Sequence, residues 1–119
     1  IPASNDSKLV AAACKSKFKR LLDAGVQIHE FQGGLLHSKT ITVDKDFALL
    51  GSANLDRRSL ELNFEVNMLV YDTDFASELR FLQSSYIEES TSVLESKVNS
   101  WPLQQRLWQN AVSLIAPIL

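Results

Sequence analysis

Cysteine, proline and glycine are all scarce in this sequence, which has one Cys, three Pro and four Gly among 119 residues. The single cysteine, Cys14, excludes an internal disulfide and any cysteine-rich zinc site. The longest apolar runs fall far short of the ~18–20 residues that a membrane-crossing helix needs. The chain also lacks an initiator Met and a charged-then-apolar signal segment, and its Ile1-Pro2 start predicts a fragment whose N-terminal part is missing.

Excess positive charge is absent as well, because 12 Lys and Arg stand against 14 Asp and Glu, for a net charge of −2. A dedicated nucleic-acid-binding domain usually carries a strongly basic face, so this charge balance argues against nucleic acid as a partner. Apolar residues make up 45% of the chain and charged residues 22%, which is typical of a globular domain rather than a disordered segment.

The hydrophobic pattern predicts helices at both ends of the chain with strands between them. Apolar residues recur every three or four positions from Leu9 to Ala24, so we expect one amphipathic helix there, ended by Gly25. Cys14 lies on its apolar side, which predicts a buried, inert thiol. Further helices are expected as a short turn over 53–60, from Asp72 to about Glu89, and from Trp101 onwards.

Four strands are expected, at Val26–Phe31, Leu35–Val43, Phe47–Ser52 and Phe64–Tyr71, and Asp44–Asp46 would form the turn of a hairpin. A polar stretch follows over 88–100, and no helix or strand is assigned to it. Strands flanked by helices indicate an α/β fold with a mixed, partly antiparallel sheet sandwiched by helices.

Two residues on the second predicted strand suggest phosphate chemistry. Strand alternation would put His37 and Lys39 on one face, roughly 6.5–7 Å apart. An imidazole there can attack phosphorus while an ammonium neutralises oxygen charge. Asp44 has the opposite parity and lies in the turn, so geometry alone does not aim it at the same ligand.

Three further polar residues follow along the chain. Ser52 and Asn54, next to the small residues Gly51 and Ala53, would provide neutral donors near backbone amides. Glu65 lies on the fourth predicted strand, and a carboxylate near an imidazole fixes its tautomer and stabilises the cation. Taken singly, each of these residues has an ordinary structural explanation.

The combined spacing is far more specific: His37-x-Lys39-x4-Asp44-x6-Gly51-Ser52-x-Asn54, followed by Glu65. It resembles the HKD signature of the phospholipase D superfamily. The closer resemblance is to bacterial cardiolipin synthases, carried by 5–10, 35–39, 51–60, 62–65, Trp101-Pro102-Leu103 and the closing 116–119. It implies that residues 1–119 are an N-terminally truncated, C-terminal HKD domain with a phospholipase D-like fold.

The resemblance also implies a reaction and roles for these residues. A phosphatidyl group would pass from one phosphatidylglycerol to another, giving cardiolipin and glycerol without a metal or other cofactor. His37 would be the nucleophile or the acid-base partner of a second His, with Lys39 and Asn54 binding phosphate beside Ser52. Asp44 would be a supporting residue and Glu65 would orient His37.

The family pairs two HKD motifs, whereas this chain contains one. The second half would come from missing sequence or from another chain, and the fragment alone would be inactive. Two other functions stay open: a phosphodiester hydrolase with water as acceptor, and a non-catalytic half of a two-motif enzyme.

A membrane surface is the remaining expected partner. The resemblance implies a peripheral domain on the cytoplasmic side of a bacterial plasma membrane. The terminal segment 101–119 has a broad apolar surface with two tryptophans, so it is either a core helix or a membrane-facing one.

Overall fold

A computed structural model of the protein describes residues 1–3, 8–54, 59, 61 and 63–115, and the side chains of the last helix as far as Ser113. The described chain forms two compact units, one from Ile1–Leu36 together with the segment that begins at Ser90, and one from His37–Glu89. In chain order the elements are α1 (Lys8–Ser16), α2 (Phe18–Asp23), β1 (His29–Phe31), β2 (Thr40–Val43), β3 (Phe47–Gly51), β4 (Asn67–Tyr71), α3 (Thr73–Glu88), β5 (Ser90–Ser92), α4 (Glu95–Asn99) and α5 (Leu103–Ile115).

The predicted single helix from Leu9 to Ala24 is two helices in the structure. Lys17 separates α1 from α2, and its amide donates to the Cys14 carbonyl three residues back, at 3.1 Å. Gly25 ends α2 as expected, since its φ of 82° lies in the left-handed region that favours glycine. The Gly25 amide donates to Leu22 and the Val26 amide to Leu21, which is the Schellman pattern of helix termination.

The expectation of a buried Cys14 is wrong, because the structure leaves this residue exposed. The side chains that enter the core of the first unit are instead Phe18, Ile28, Val93 and Val98, with Leu22 and Trp101 packed against them. The aromatic rings of Phe18 and Trp101 lie 6.2 Å apart. The prediction assumed one continuous helix with a single apolar face. Because α1 ends at Ser16, the apolar residues of α1 and α2 do not form one continuous face.

A small sheet in the first unit joins segments that are distant in sequence. Strands β1 and β5 pair antiparallel, with Glu30 opposite Thr91. The predicted strand from Val26 is thus reduced to His29–Phe31. The polar stretch 88–100, to which no element was assigned, contains both β5 and α4. The sequence Ser90-Thr91-Ser92 has no hydrophobic alternation, so the pairing with β1 determines its conformation.

The second unit is a three-stranded antiparallel sheet in the order β2-β3-β4, with α3 packed against it. The predicted hairpin is confirmed: Val43 pairs with Phe47, and Asp44 and Lys45 make the turn with positive φ angles of 51° and 65°. Thr40 and Thr42 face α3, because both hydroxyls hydrogen-bond to Gln83, at 3.1 and 2.8 Å.

The α/β composition expected from the sequence is confirmed. The described strands, however, form two antiparallel sheets in place of the single mixed sheet that was expected. Parallel pairing in the described part of the chain is limited to one isolated bridge between Pro2 and Phe31. The enclosure of the sheet by helices on both faces stays a prediction. Among the described residues, no helix is both long and apolar enough to cross a bilayer.

The start of α3 provides a test of the fold of the second unit. The Asp72 carboxylate caps this helix by accepting a hydrogen bond from the Phe75 amide at 2.8 Å. We expect Asp72→Ala to destabilise the helix start by about 1 kcal/mol. Hydrogen exchange at the Phe75 amide should therefore accelerate about fivefold.

Asp74→Ala is the matched control, because Asp74 lies in the same first turn but does not provide the cap. Equal acceleration of exchange in the two variants would show that Asp72 acts through its charge alone and not through the cap.

Candidate active site

The backbone around His37 differs from the predicted strand. Strand β2 begins at Thr40, so residues 37–39 precede it, and the expectation that His37 and Lys39 share a strand face is not met. The Lys39 carbonyl, directly before β2, accepts a hydrogen bond from the Gly51 amide at 3.1 Å. The candidate site therefore lies where β2 begins and β3 ends.

Gly51 is needed at the end of β3 because the neighbouring strand approaches very closely. A Cβ atom at this position would overlap the Val66 carbonyl oxygen and the Asn67 side-chain oxygen, and would lie 2.8 Å from the Asn67 Cα. The small residues here were expected to admit a ligand. In the structure, glycine is required at position 51 because β3 packs closely against the start of β4.

His37 is exposed, and the structure gives its imidazole no hydrogen-bond partner in the described part of the chain. The His37 carbonyl accepts a hydrogen bond from the Lys39 ammonium at 2.7 Å. The imidazole is thus accessible to a ligand. The ammonium is held on the same short segment, and its present hydrogen bond is one that a phosphate oxygen could replace.

Glu65 lies two residues before β4, and both of its carboxylate oxygens are engaged. Ser52 donates its hydroxyl proton to one oxygen at 2.5 Å, and Asn63 donates from its amide to the other at 3.3 Å. The Ser52 hydroxyl in turn accepts a hydrogen bond from the Val66 amide at 3.0 Å. This network joins the end of β3 to the segment that leads into β4.

These contacts lower the pKa of Glu65 below its ordinary value of 4.5. The Ser52 hydrogen bond is the largest cause, while partial desolvation opposes it. Smaller contributions in the same direction come from Asn63, from Ser59 and from the positive charge of Lys39. The site therefore holds an ionised carboxylate at neutral pH, within electrostatic reach of the lysine.

The structure brings Lys39, Ser52 and Glu65 together, whereas Asp44 lies apart from them. Asp44 is an exposed residue of the hairpin turn, at the other end of β2 from Lys39, and β2 at about 3.4 Å per residue is about 10 Å long. This position is consistent with a supporting role for Asp44 and places it away from the group that would bind phosphate.

The two predicted neutral donors have different surroundings. The single proton of the Ser52 hydroxyl is already donated to Glu65, so Ser52 must exchange that bond in order to donate to a phosphate. Asn54 is exposed, directly before residues 55–58. The helical turn predicted for 53–60 lies largely outside the described residues.

The sequence reasoning included Asn63 and Ser59 only in the stretches that carry the family resemblance, and it gave neither residue a role at Glu65. Asn63 and Ser59 both contribute to its low pKa, and Ser59 is buried. Asn67 accepts a hydrogen bond from the Ala53 amide at 3.4 Å. A polar residue two positions from a predicted catalytic carboxylate was the available signal for Asn63, whereas the buried position of Ser59 carried no pattern of its own.

Among the described residues, no group of three or more His, Cys, Asp or Glu side chains is placed to hold a metal ion. The chemistry available at the site is that of an accessible imidazole, an ammonium and a hydrogen-bonded carboxylate. Together these groups can provide a nucleophile or proton carrier, a cation for an anionic substrate and a fixed negative charge.

Comparison with known proteins gives the same identification as the motif. The family model described as cardiolipin synthase, PLD-like domain matches residues 1–83, which include the whole candidate site. Cardiolipin synthase A of Salmonella arizonae is 42% identical over 122 residues, and that of Yersinia pseudotuberculosis serotype O:1b is 40% identical over 119 residues.

Each of these alignments covers 100% of this chain but 24% of the relative, so the chain spans about a quarter of the length of the curated proteins it matches. No solved structure matches the chain. Since the family model covers more than half of the chain and includes every motif position, the protein belongs to the cardiolipin synthase family of PLD-like domains.

Proposed function

We propose that this chain provides one of the two HKD halves of a phosphatidyltransferase that converts two molecules of phosphatidylglycerol to cardiolipin and glycerol. The observation that carries the proposal is the accessible imidazole of His37, beside Lys39, within an intact family motif. Two relatives that align over the whole chain are named cardiolipin synthase A, which supports this reaction over others of the superfamily.

The reaction has two displacements at phosphorus. In the first, an imidazole nitrogen attacks the phosphorus and the bond to the glycerol oxygen breaks, while a second histidine donates a proton to the leaving oxygen. In the second, that histidine accepts the proton of a phosphatidylglycerol hydroxyl, whose oxygen attacks phosphorus and releases the imidazole. His37 takes one of these two roles.

One imidazole cannot act on both sides of an in-line displacement, so His37 would need the histidine of a second HKD motif. This chain contains one such motif, and its other histidine, His29, lies outside it. The second motif would come from another part of the same protein or from a second chain. The relatives are several times longer than the matched segment, which leaves room for a second motif within one polypeptide. By itself the chain would be inactive.

Lys39 and Asn54 would bind the phosphate of the substrate. In the structure the Lys39 ammonium donates to a neutral carbonyl, and an anionic phosphate oxygen is the stronger acceptor. Ser52 would join them by giving up its bond to Glu65.

Glu65 would act as the positioning residue for His37. An ionised carboxylate stabilises an imidazolium and fixes its tautomer. The hydrogen bonds from Ser52 and Asn63 keep Glu65 ionised, and they also fix the direction of the carboxylate before substrate arrives. Supporting Glu65 in advance reduces the reorganisation required when charge develops on the imidazole.

The substrate class implies that the protein acts at a membrane surface, and we place it peripherally on the cytoplasmic side of a bacterial plasma membrane. Helix α5 exposes Leu103, Leu107 and Trp108. These positions lie within one side of a helix, and an exposed apolar stripe that contains Trp is typical of helices that lie in the bilayer interface. The segment from 101 onwards is therefore the proposed membrane-facing element.

The first test removes the proposed reacting group. In the full-length protein, His37→Ala should reduce the formation of cardiolipin from labelled phosphatidylglycerol by about 10³-fold or more, because neither displacement can proceed without this imidazole. The products, resolved by thin-layer chromatography, also separate transfer from hydrolysis, since water as acceptor would give phosphatidic acid.

His29→Ala is the matched control, because this histidine lies on β1, where its ring contacts the Ser92 hydroxyl at 3.3 Å. We expect it to retain activity. Comparable rates for His37→Ala and the original protein would rule out the catalytic role of His37.

The second test concerns the positioning role of Glu65. Glu65→Gln keeps the shape of the side chain and removes the charge, so kcat should fall by about 10²-fold or more while KM changes little. The exposed Glu78 on α3 provides the control variant Glu78→Gln. An effect confined to KM would contradict the positioning role.

The third test examines the cause of the low pKa. Ser52→Ala removes the main hydrogen bond to Glu65, so the pKa of Glu65 should rise towards 4.5, as measured by ¹³C NMR titration of the carboxyl group. Ser84→Ala is the control, since the Ser84 hydroxyl bonds to the Arg80 carbonyl within α3.

The sign of the accompanying stability effect follows from linkage. A carboxyl group with a lowered pKa in the folded state stabilises the fold above its unfolded pKa, and this contribution is lost as the pH falls through the folded value. Ser52→Ala should thus lower stability at neutral pH more than at a pH below 4.5. An unchanged titration of Glu65 would show that Ser52 does not control its ionisation.

A further inference from the structure

A cavity of about 300 Å³ lies in the first unit, apart from the residues of the candidate active site. Its lining includes four cationic side chains, from α1, α2 and α5: Lys15, Lys19, Arg20 and Arg106. One carboxylate, Asp23, lines the same space. The described lining of the cavity therefore carries a clear excess of positive charge.

The two lysines have partners of their own. The Lys19 ammonium pairs with Asp23 at 2.9 Å, and the Lys15 ammonium pairs with Glu30 at 3.4 Å. In contrast, the structure gives Arg20 and Arg106 neither an ion pair nor a side-chain hydrogen bond in the described part of the chain. Two unpaired guanidinium groups from different helices thus line one cavity.

A glutamine from the last helix lines the same space. Gln109 is 4% exposed as a residue, and it lies on the cavity together with the two guanidinium groups. Among the described residues no buried side-chain nitrogen or oxygen lacks a hydrogen-bond partner, so the Gln109 amide is not a sealed, unsatisfied group. An amide can donate to a phosphate oxygen, so Gln109 adds a neutral donor to the two cationic ones.

From this arrangement we propose that the cavity binds the phosphate group of an anionic phospholipid, with Arg20, Arg106 and Gln109 as donors. Guanidinium groups match the geometry of phosphate oxygens and bind them through paired hydrogen bonds. The volume is at the lower end of the range for small-ligand sites, which suits a headgroup. Trp101 also lines the cavity and is packed against Phe18, so it offers an apolar surface to the glycerol backbone.

The phosphate chemistry stands on the geometry alone, whereas phospholipid as its source rests on the proposed function. Free phosphate would satisfy the same donors. The experiment therefore measures both sources, using inorganic phosphate in solution and vesicles of phosphatidylcholine with or without phosphatidylglycerol.

The test compares the double variant Arg20→Gln/Arg106→Gln with Arg80→Gln in the full-length protein. Arg80 is an exposed arginine of α3 that does not line the cavity, so it controls for the loss of a surface charge. We expect the double variant to bind phosphatidylglycerol vesicles about tenfold more weakly or worse in co-sedimentation, because it loses two charge-assisted contacts. Arg80→Gln should change this binding by less than about fivefold.

Inorganic phosphate separates the two sources. If phosphate protects the original protein against thermal unfolding and competes with vesicles, and the double variant loses both effects, the proposal is supported. If phosphate binding depends on the two arginines but vesicle binding does not, a phospholipid source is overturned. If the double variant binds phosphate and vesicles as the original protein does, the site itself is overturned.

Gln109→Met gives a second readout. Met has a similar shape without the polar amide, so the variant should bind phosphate more weakly than the original protein. A variant with unchanged phosphate affinity would overturn the role of Gln109.

His37→Ala distinguishes failure of this proposal from failure of the proposed function. This variant should lose phosphatidyl transfer yet keep vesicle binding, because His37 does not line the cavity.

Discussion

The hydrogen bond between the Ser52 hydroxyl and the Glu65 carboxylate is the contact on which the candidate site depends. It joins the end of β3 to the segment before β4, at a point where Gly51 lets the backbones come unusually close. The Val66 amide donates to the same hydroxyl, so one serine is both donor and acceptor across the two segments. A side chain longer than glycine at position 51 would push these segments apart and leave the carboxylate without its main partner.

This contact divides the site into a fixed part and an accessible part. Glu65 is held at both carboxylate oxygens and remains ionised, whereas His37 is exposed just before β2. In the proposed reaction such a division is useful, because the reacting imidazole would have to meet a substrate and the histidine of a second HKD motif, and this chain contains only one such motif. The fixed charge of Glu65 would then stabilise whichever cationic state the imidazole reaches.

The features that local chemistry determines could be predicted from the sequence. Gly25 as a helix end, the turn at Asp44 and Lys45, and the helix that begins after Asp72 each follow from one or two residues and their neighbours. Strand β5 could not be predicted, because pairing with β1 creates it. The position of His37 outside β2 was missed for a similar reason. The alternation of side chains between two faces holds only where a strand is hydrogen-bonded to its neighbour, and the sequence pattern does not show where that pairing ends. The motif spacing identified the family even so, since it depends on residue types and intervals and not on strand boundaries.

The net charge of this chain does not show where an anion can bind, because some cationic side chains are paired with carboxylates and others are not. The overall charge of −2 argues against nucleic acid, yet Arg20 and Arg106 line one cavity without acidic partners among the described residues. Lysines beside them are neutralised by Asp23 and Glu30. A protein surface that is acidic on average repels polyanions at long range, but screening limits that effect to about 8–10 Å at physiological salt. At shorter distances the unpaired guanidinium groups dominate, so a small anion meets an attractive site that the total charge conceals.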